Sequence, residues 1–136
     1  MKDYIETNIE IIKELINIDN KIMNEKIELY NLIEYSSISS NLVLNNSLIF
    51  YDGNPYTTLK LINSNIENSI LYPNGNFLAI NRFIASYKDN IHLSLEHNDF
   101  KYDKAKEVFE NIIVLNDKVL YEEIRSIYPT AQYIEI

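Results

Sequence analysis

The chain has no cysteine and no tryptophan, and only two glycines and three prolines in 136 residues. Without thiols there is no disulfide scaffold, no thiolate nucleophile and no thiolate zinc site. Two glycines leave little material for a phosphate-cradling loop. Scarce Gly and Pro also argue against a long flexible linker or low-complexity tail. No apolar run approaches the roughly 20 residues that span a bilayer. The opening MKDYIETNIE carries an acid at position 3 and does not read as a signal peptide. The expectation is therefore a cytoplasmic protein, in the host cytoplasm if it is viral, with no membrane contact. Heavy use of Ile, Asn, Lys and Tyr suits an AT-rich bacterial or viral genome. Neither G-x-S-x-G nor H-E-x-x-H occurs, so no enzyme activity and no cofactor are expected.

What is present is a dense supply of apolar residues, 46% of the chain, enough for one core at this length. Residues 1–136 read as a single domain. The net charge is −8 and uneven: residues 1–35 carry −4, residues 36–88 carry +1, and residues 89–136 carry −5. Surplus acid repels nucleic acid, so direct DNA or RNA binding is not expected. A partner protein with a basic surface would suit it.

Residues 1–35 read as helical. One apolar stripe falls at 5, 9, 12, 16, 23, 30 and 33, and a second at 11, 15, 18, 22, 29 and 32. Together they cover about half the helix, wider than the roughly 100° a surface helix buries. The segment is expected to bury two seams, one in its own core and one on another helix or chain. The expected oligomer seam is Ile5, Ile9, Ile12, Ile16, Asp19, Met23, Lys26 and Tyr30, its polar members setting register. The alternative is a break near Asn17–Asn20, giving a helix pair with Asp19 at a cap.

Between 41 and 97, short apolar runs alternate with turn signals: Asn41–Tyr51, Thr57–Asn63, Ser69–Tyr72, Phe77–Tyr87 and Ile91–Glu96. This spacing predicts an antiparallel meander of about five strands. A three-residue loop at Lys88-Asp89-Asn90 would set Arg82 opposite Glu96 and Ser86 opposite His92 on one hairpin face. Residues 103–128 read as two helices, 104–115 capped by Asp103 and a second capped by Asp117 that ends before Pro129. The alternating tail Ala131–Ile136 suggests an edge strand. The predicted class is α+β, with the two C-terminal helices packed on one face of the sheet.

Candidate site residues are few. Arg82 lies in an otherwise apolar run, as an anion-binding residue beside Tyr87 and His92 or as a cross-strand partner of Glu96. Tyr51, Tyr56 and Tyr72 flank predicted turns and could anchor an interface. His92 and His97, about 17 Å apart on a strand and on opposite faces, cannot share a metal, so no metal site is expected. Paired acids such as Glu122-Glu123 belong to solvated helix faces. The functional expectation is a non-enzymatic protein-binding protein of the inhibitor, immunity, viral anti-defence or chaperone kind, acting as a homodimer. The alternatives are a small-ligand or nucleotide binder with an anion pocket near Arg82 and His92, and an acidic nucleic-acid mimic using a Glu6, Glu10, Glu14 row.

Overall fold

The computed structural model describes residues 1–75, 77–94 and 109–136. The N-terminal region is three helices, α1 (Lys2–Thr7), α2 (Ile9–Ile22) and α3 (Leu29–Tyr35). The chain does not form one helix through residue 35, nor does it break at Asn17–Asn20. It breaks at Asn8, whose side chain donates to the Tyr4 carbonyl at 2.8 Å and competes with the helical ladder. It breaks again after Ile22, where the Asn20 side chain exchanges two hydrogen bonds with the backbone of Ile27. That pair folds the 23–28 linker back on α2.

Next come β1 (Val43–Asn45), β2 (Ser47–Tyr51), α4 (Pro55–Ile62), β3 (Asn65–Glu67), β4 (Ser69–Pro73), α5 (Leu78–Ala85) and β5 (Ile91–Leu93). After the undescribed segment follow β6 (Asn111–Leu115), α6 (Lys118–Ile127) and β7 (Gln132–Ile134). Five strands form one sheet in the order β5-β4-β2-β6-β7, and β1 and β3 form a small second sheet. Every pairing is parallel.

The antiparallel meander is thus overturned. Two of its five expected strands, Thr57–Asn63 and Phe77–Tyr87, are helices α4 and α5. A strand followed by a helical crossover returns parallel, and no hairpin remains among the described residues. The Arg82–Glu96 and Ser86–His92 pairings go with it: Arg82 is helical and β5 pairs with β4. Glu96, His97 and residues 104–108 of the expected 104–115 helix lie outside the described residues, but 109 and 110 are not helical and 111–115 are strand β6. Two C-terminal expectations hold, the Asp117 cap and the final edge strand. The Asp117 side chain accepts the Leu120 N–H at 3.0 Å and starts α6, and β7 lies at the sheet edge.

By chain order the large sheet reads 3-2-1-4-5, the doubly wound arrangement. Right-handed crossovers that step outward from the first strand and later restart on its other side place their helices on opposite faces. The packing agrees. Ile49, Tyr51, Leu71, Ile113 and Leu115 face one cluster with residues of α1–α5. Leu48, Phe50, Ile112 and Val114 face the other, with Leu120 and Ile124 of α6. Among the described residues one C-terminal helix, α6, packs on the second face, and α1–α5 cover the first, so helices are not confined to one face. The central strand β2 is buried along its whole length, so it shows no inside–outside alternation.

The strands β2, β4 and β5 repeat at a constant interval. Leu48 pairs with Ile70 and Ile70 with His92, each 22 residues on. Asn46 (φ 51°) and Asn68 (φ 50°) sit at equivalent kinks, in the left-handed conformation that Asn tolerates. Ser47 and Ser69 follow them, each hydroxyl donating to the carbonyl two residues back, and the Ser47 N–H donates to Ser69 Oγ. Among the described residues no helix is long and apolar enough to cross a membrane.

Candidate functional site

In doubly wound sheets ligands bind beyond the carboxyl ends of the strands. Here β2 ends in Asp52-Gly53-Asn54-Pro55, and β4 ends in Asn74-Gly75. The first turn is ordered locally. Asp52 Oδ1 accepts the Asn54 N–H at 2.9 Å, and Asn54 Oδ1 accepts the Tyr56 N–H at 3.0 Å, capping α4. Pro55 occupies the first helical position, where its missing N–H costs nothing.

The two glycines are in close approach. Gly53 has φ +81°, and a Cβ there would lie 2.7 Å from the Gly75 nitrogen. A Cβ on Gly75 would lie 2.5 Å from the Asp52 carbonyl oxygen. Beneath them runs a buried polar chain. Thr58 Oγ1 donates to Asn81 Oδ1 at 2.7 Å, so its single proton is committed and the Tyr51 hydroxyl donates to Thr58 at 2.6 Å. Asn81 Nδ2 then donates to the Gly53 carbonyl at 2.7 Å. Full burial pushes the Tyr51 hydroxyl pKa well above its ordinary value, which keeps it a neutral donor.

The start of α5 is held from a distance. Asp19 of α2, 1% exposed, accepts the N–H groups of Ala79 at 3.2 Å and Ile80 at 2.9 Å. It supplies the cap that Phe77, the residue preceding the helix, cannot. Desolvation raises its pKa above the ordinary 3.8, opposed by those two backbone donors.

Above this floor lies a cleft of about 550 Å³. Its walls are Ile22 at the end of α2 with residues 23–27 of the linker, the β2–α4 turn with Tyr56, and Gly75 with Phe77. Ile27, Pro55 and Phe77 are buried, Met23 and Tyr56 are half-buried, and Asn24, Glu25, Lys26, Asp52 and Asn54 stand at the rim.

Of the described candidate site and seam residues, Tyr56, Met23 and Lys26 line this cleft. Tyr56 packs on Tyr35, ring centroids 4.7 Å apart. Tyr51 and Tyr72 are buried, and Tyr72 stacks on Phe50 at 4.7 Å. Arg82 is exposed on α5, which covers the face of Ile49 and Leu71. His92, between Ile91 and Leu93 of that same cluster, points to the opposite face by strand alternation. The two do not meet. Tyr87 joins Tyr4, at 5.1 Å, and hence α1. In the seam, Ile5, Ile12, Ile16 and Asp19 are buried within the chain, Ile9 and Met23 are half-buried, and Lys26 and Tyr30 are exposed.

Sequence reasoning passed over Asp52, Asn54, Gly75 and Glu25. A signal for the first three was present. Asn46-Ser47-Leu48-Ile49-Phe50-Tyr51-Asp52-Gly53-Asn54 recurs 22 residues later as Asn68-Ser69-Ile70-Leu71-Tyr72-Pro73-Asn74-Gly75-Asn76. Such a repeat marks equivalent supersecondary units, and Gly53 and Gly75 both follow the carboxyl ends of their strands. Among the described residues no group of three or more His, Cys, Asp or Glu is placed to hold a metal ion. No protein-family model, curated protein or solved structure matches the chain.

Proposed function

We propose that the protein acts by binding another protein, as a homodimer and without catalysis of its own. One observation carries this reading: the second apolar stripe of α2 faces water. Ile11 and Ile18 are each 49% exposed, Ile22 is 68% exposed, and Leu15 between them is half-buried. The first stripe already fills the chain's own core. Four large aliphatic side chains in a row on one helix make a contiguous apolar strip, the surface feature that marks association.

The flanking charges suit an antiparallel pairing of α2 with α2 of a second copy. Set Leu15 against Ile18 of the second copy, and Ile11 meets its Ile22 at both ends. Glu14 and Lys21 border the strip on one side, both exposed and neither in an ion pair among the described residues. In that pairing each Glu14 lies near the other copy's Lys21. The net charge of −8 then favours a basic partner, as an inhibitor, immunity, anti-defence or chaperone-type protein would meet.

Sedimentation equilibrium tests the dimer. A dimer at micromolar concentration, converted to a monomer of unchanged circular dichroism by Ile18→Lys, is expected. A wild-type monomer throughout would overturn it. Affinity capture from the native host with wild type and Ile18→Lys side by side tests the partner: equal capture by both would remove the strip from the function.

A further inference from the structure

We propose that the cleft over Gly75 binds a small organic ammonium compound with an apolar body, a free apolar amino acid being its simplest member. The cleft's position, size, floor and rim each narrow the ligand.

Position makes it a binding site. It opens at the carboxyl ends of β2 and β4, where a doubly wound sheet exposes its loops. At about 550 Å³ it falls in the range of roughly 300–1,000 Å³ typical of small-molecule pockets. The floor is rigid. Gly53 and Gly75 touch backbone to backbone, and the Tyr51–Thr58–Asn81 chain holds the Gly53 carbonyl from below.

The usual occupant of this place is a phosphate, held by free N–H groups at a helix start. This chain has narrowed that option. At α5 the Ala79 and Ile80 N–H groups are taken by the Asp19 carboxylate, whose negative charge already occupies the anion position. At α4 the first helical residue is Pro55, which has no N–H, and the Tyr56 N–H is taken by Asn54. An incoming phosphate would find fewer backbone donors than such helix starts usually offer.

The rim favours the opposite charge. Asp52 and Glu25 outnumber Lys26, and amides of Asn24 and Asn54 stand beside them. One Asp52 oxygen holds the Asn54 N–H, and the other has no hydrogen-bond partner among the described residues. Two carboxylates suit an ammonium group. Lys26 suits a carboxylate on the same molecule. Ile27, Pro55, Phe77 and the Tyr56 ring supply an apolar surface for its body. Such a ligand would bring the 22–27 linker and both turns into one contact.

Isothermal titration of the full chain with four probes tests this. L-phenylalanine and 2-phenylethylamine should bind saturably at millimolar concentration or below. 3-Phenylpropionate, with the same ring and no ammonium, and ATP should not. Asp52→Asn, which keeps an acceptor for Asn54, and Glu25→Gln should each weaken both amines at least tenfold with unchanged circular dichroism. Lys26→Gln should weaken L-phenylalanine and spare 2-phenylethylamine. No binding of either amine, tighter binding of ATP or 3-phenylpropionate, or amine binding indifferent to both acid substitutions would overturn the assignment.

Discussion

The carboxylate of Asp19, on α2, accepts the backbone N–H of Ile80, on α5, at 2.9 Å across 61 residues of chain. With the Ala79 N–H at 3.2 Å it caps a helix to which it does not belong. The same side chain reads as a polar intruder in an apolar arc when the sequence is taken alone. Its partner N–H groups would otherwise be buried and unpaired, a state that costs about 1–3 kcal/mol per group.

Asp19→Ala should therefore lower stability by about 2–4 kcal/mol in urea denaturation, the cost of losing a cap and leaving buried donors behind. Asp19→Asn keeps one acceptor oxygen and should cost less. Amide exchange at Ile80 should accelerate in Asp19→Ala before exchange in β2 does. Equal losses in both variants would show that charge, not the acceptor geometry, holds α5.

The pH response of the same residue has a defined sign. Desolvation raises the Asp19 pKa above 3.8, so the folded chain binds this proton more tightly than the unfolded chain. The Asp19 contribution is then greatest below pH 3.8 and declines as pH rises through the folded value. Relative to Asp19→Asn, the wild type should lose stability between pH 4 and pH 7. Parallel urea titrations at several pH values read that difference; a gain over the interval would mean that the backbone donors outweigh burial.

Gly53→Ala should cost about 2 kcal/mol or more. It forces a side chain into φ +81° and against the Gly75 nitrogen at 2.7 Å, and the neighbour is backbone that cannot swing away. Asn54→Ala, one residue on, removes only the α4 cap and should cost about 1 kcal/mol. Thermal unfolding of the two variants side by side measures the contrast.

Thr58→Val keeps volume and branching but breaks the relay from Tyr51 to Asn81. It leaves the Tyr51 hydroxyl and Asn81 Oδ1 buried without those partners, and should destabilise by about 1–3 kcal/mol. Tyr51→Phe paired with Thr58→Val should cost less than the sum of the two, because the single changes break a shared contact.

The architecture was not legible, but some elements were. The expected run Asn41–Tyr51 contains β1 and β2, Ser69–Tyr72 falls within β4, Asp117 caps the last helix with Leu120 and Ile124 inward, and the tail forms an edge strand. Those elements carry their own signals: a side-chain cap, a 3.6-residue period, an apolar run between turns. The break between α2 and α3 was not legible, because Asn20 acts through Ile27, seven residues away.

The amino-acid sequence by itself determined that cysteine thiol chemistry is absent, where the apolar runs lie, and a 22-residue repeat whose strands lie side by side. Tertiary structure decided the rest. Whether neighbouring strands run parallel depends on what the chain does between them, and Phe77–Tyr87 is helical partly because Asp19 arrives from another helix to satisfy its first N–H groups. The same folding chose which stripe of α2 faces inward and which stays in water. A pattern of side chains along one segment cannot encode such choices, since the partner that settles each one is remote in sequence and close only after the chain has folded.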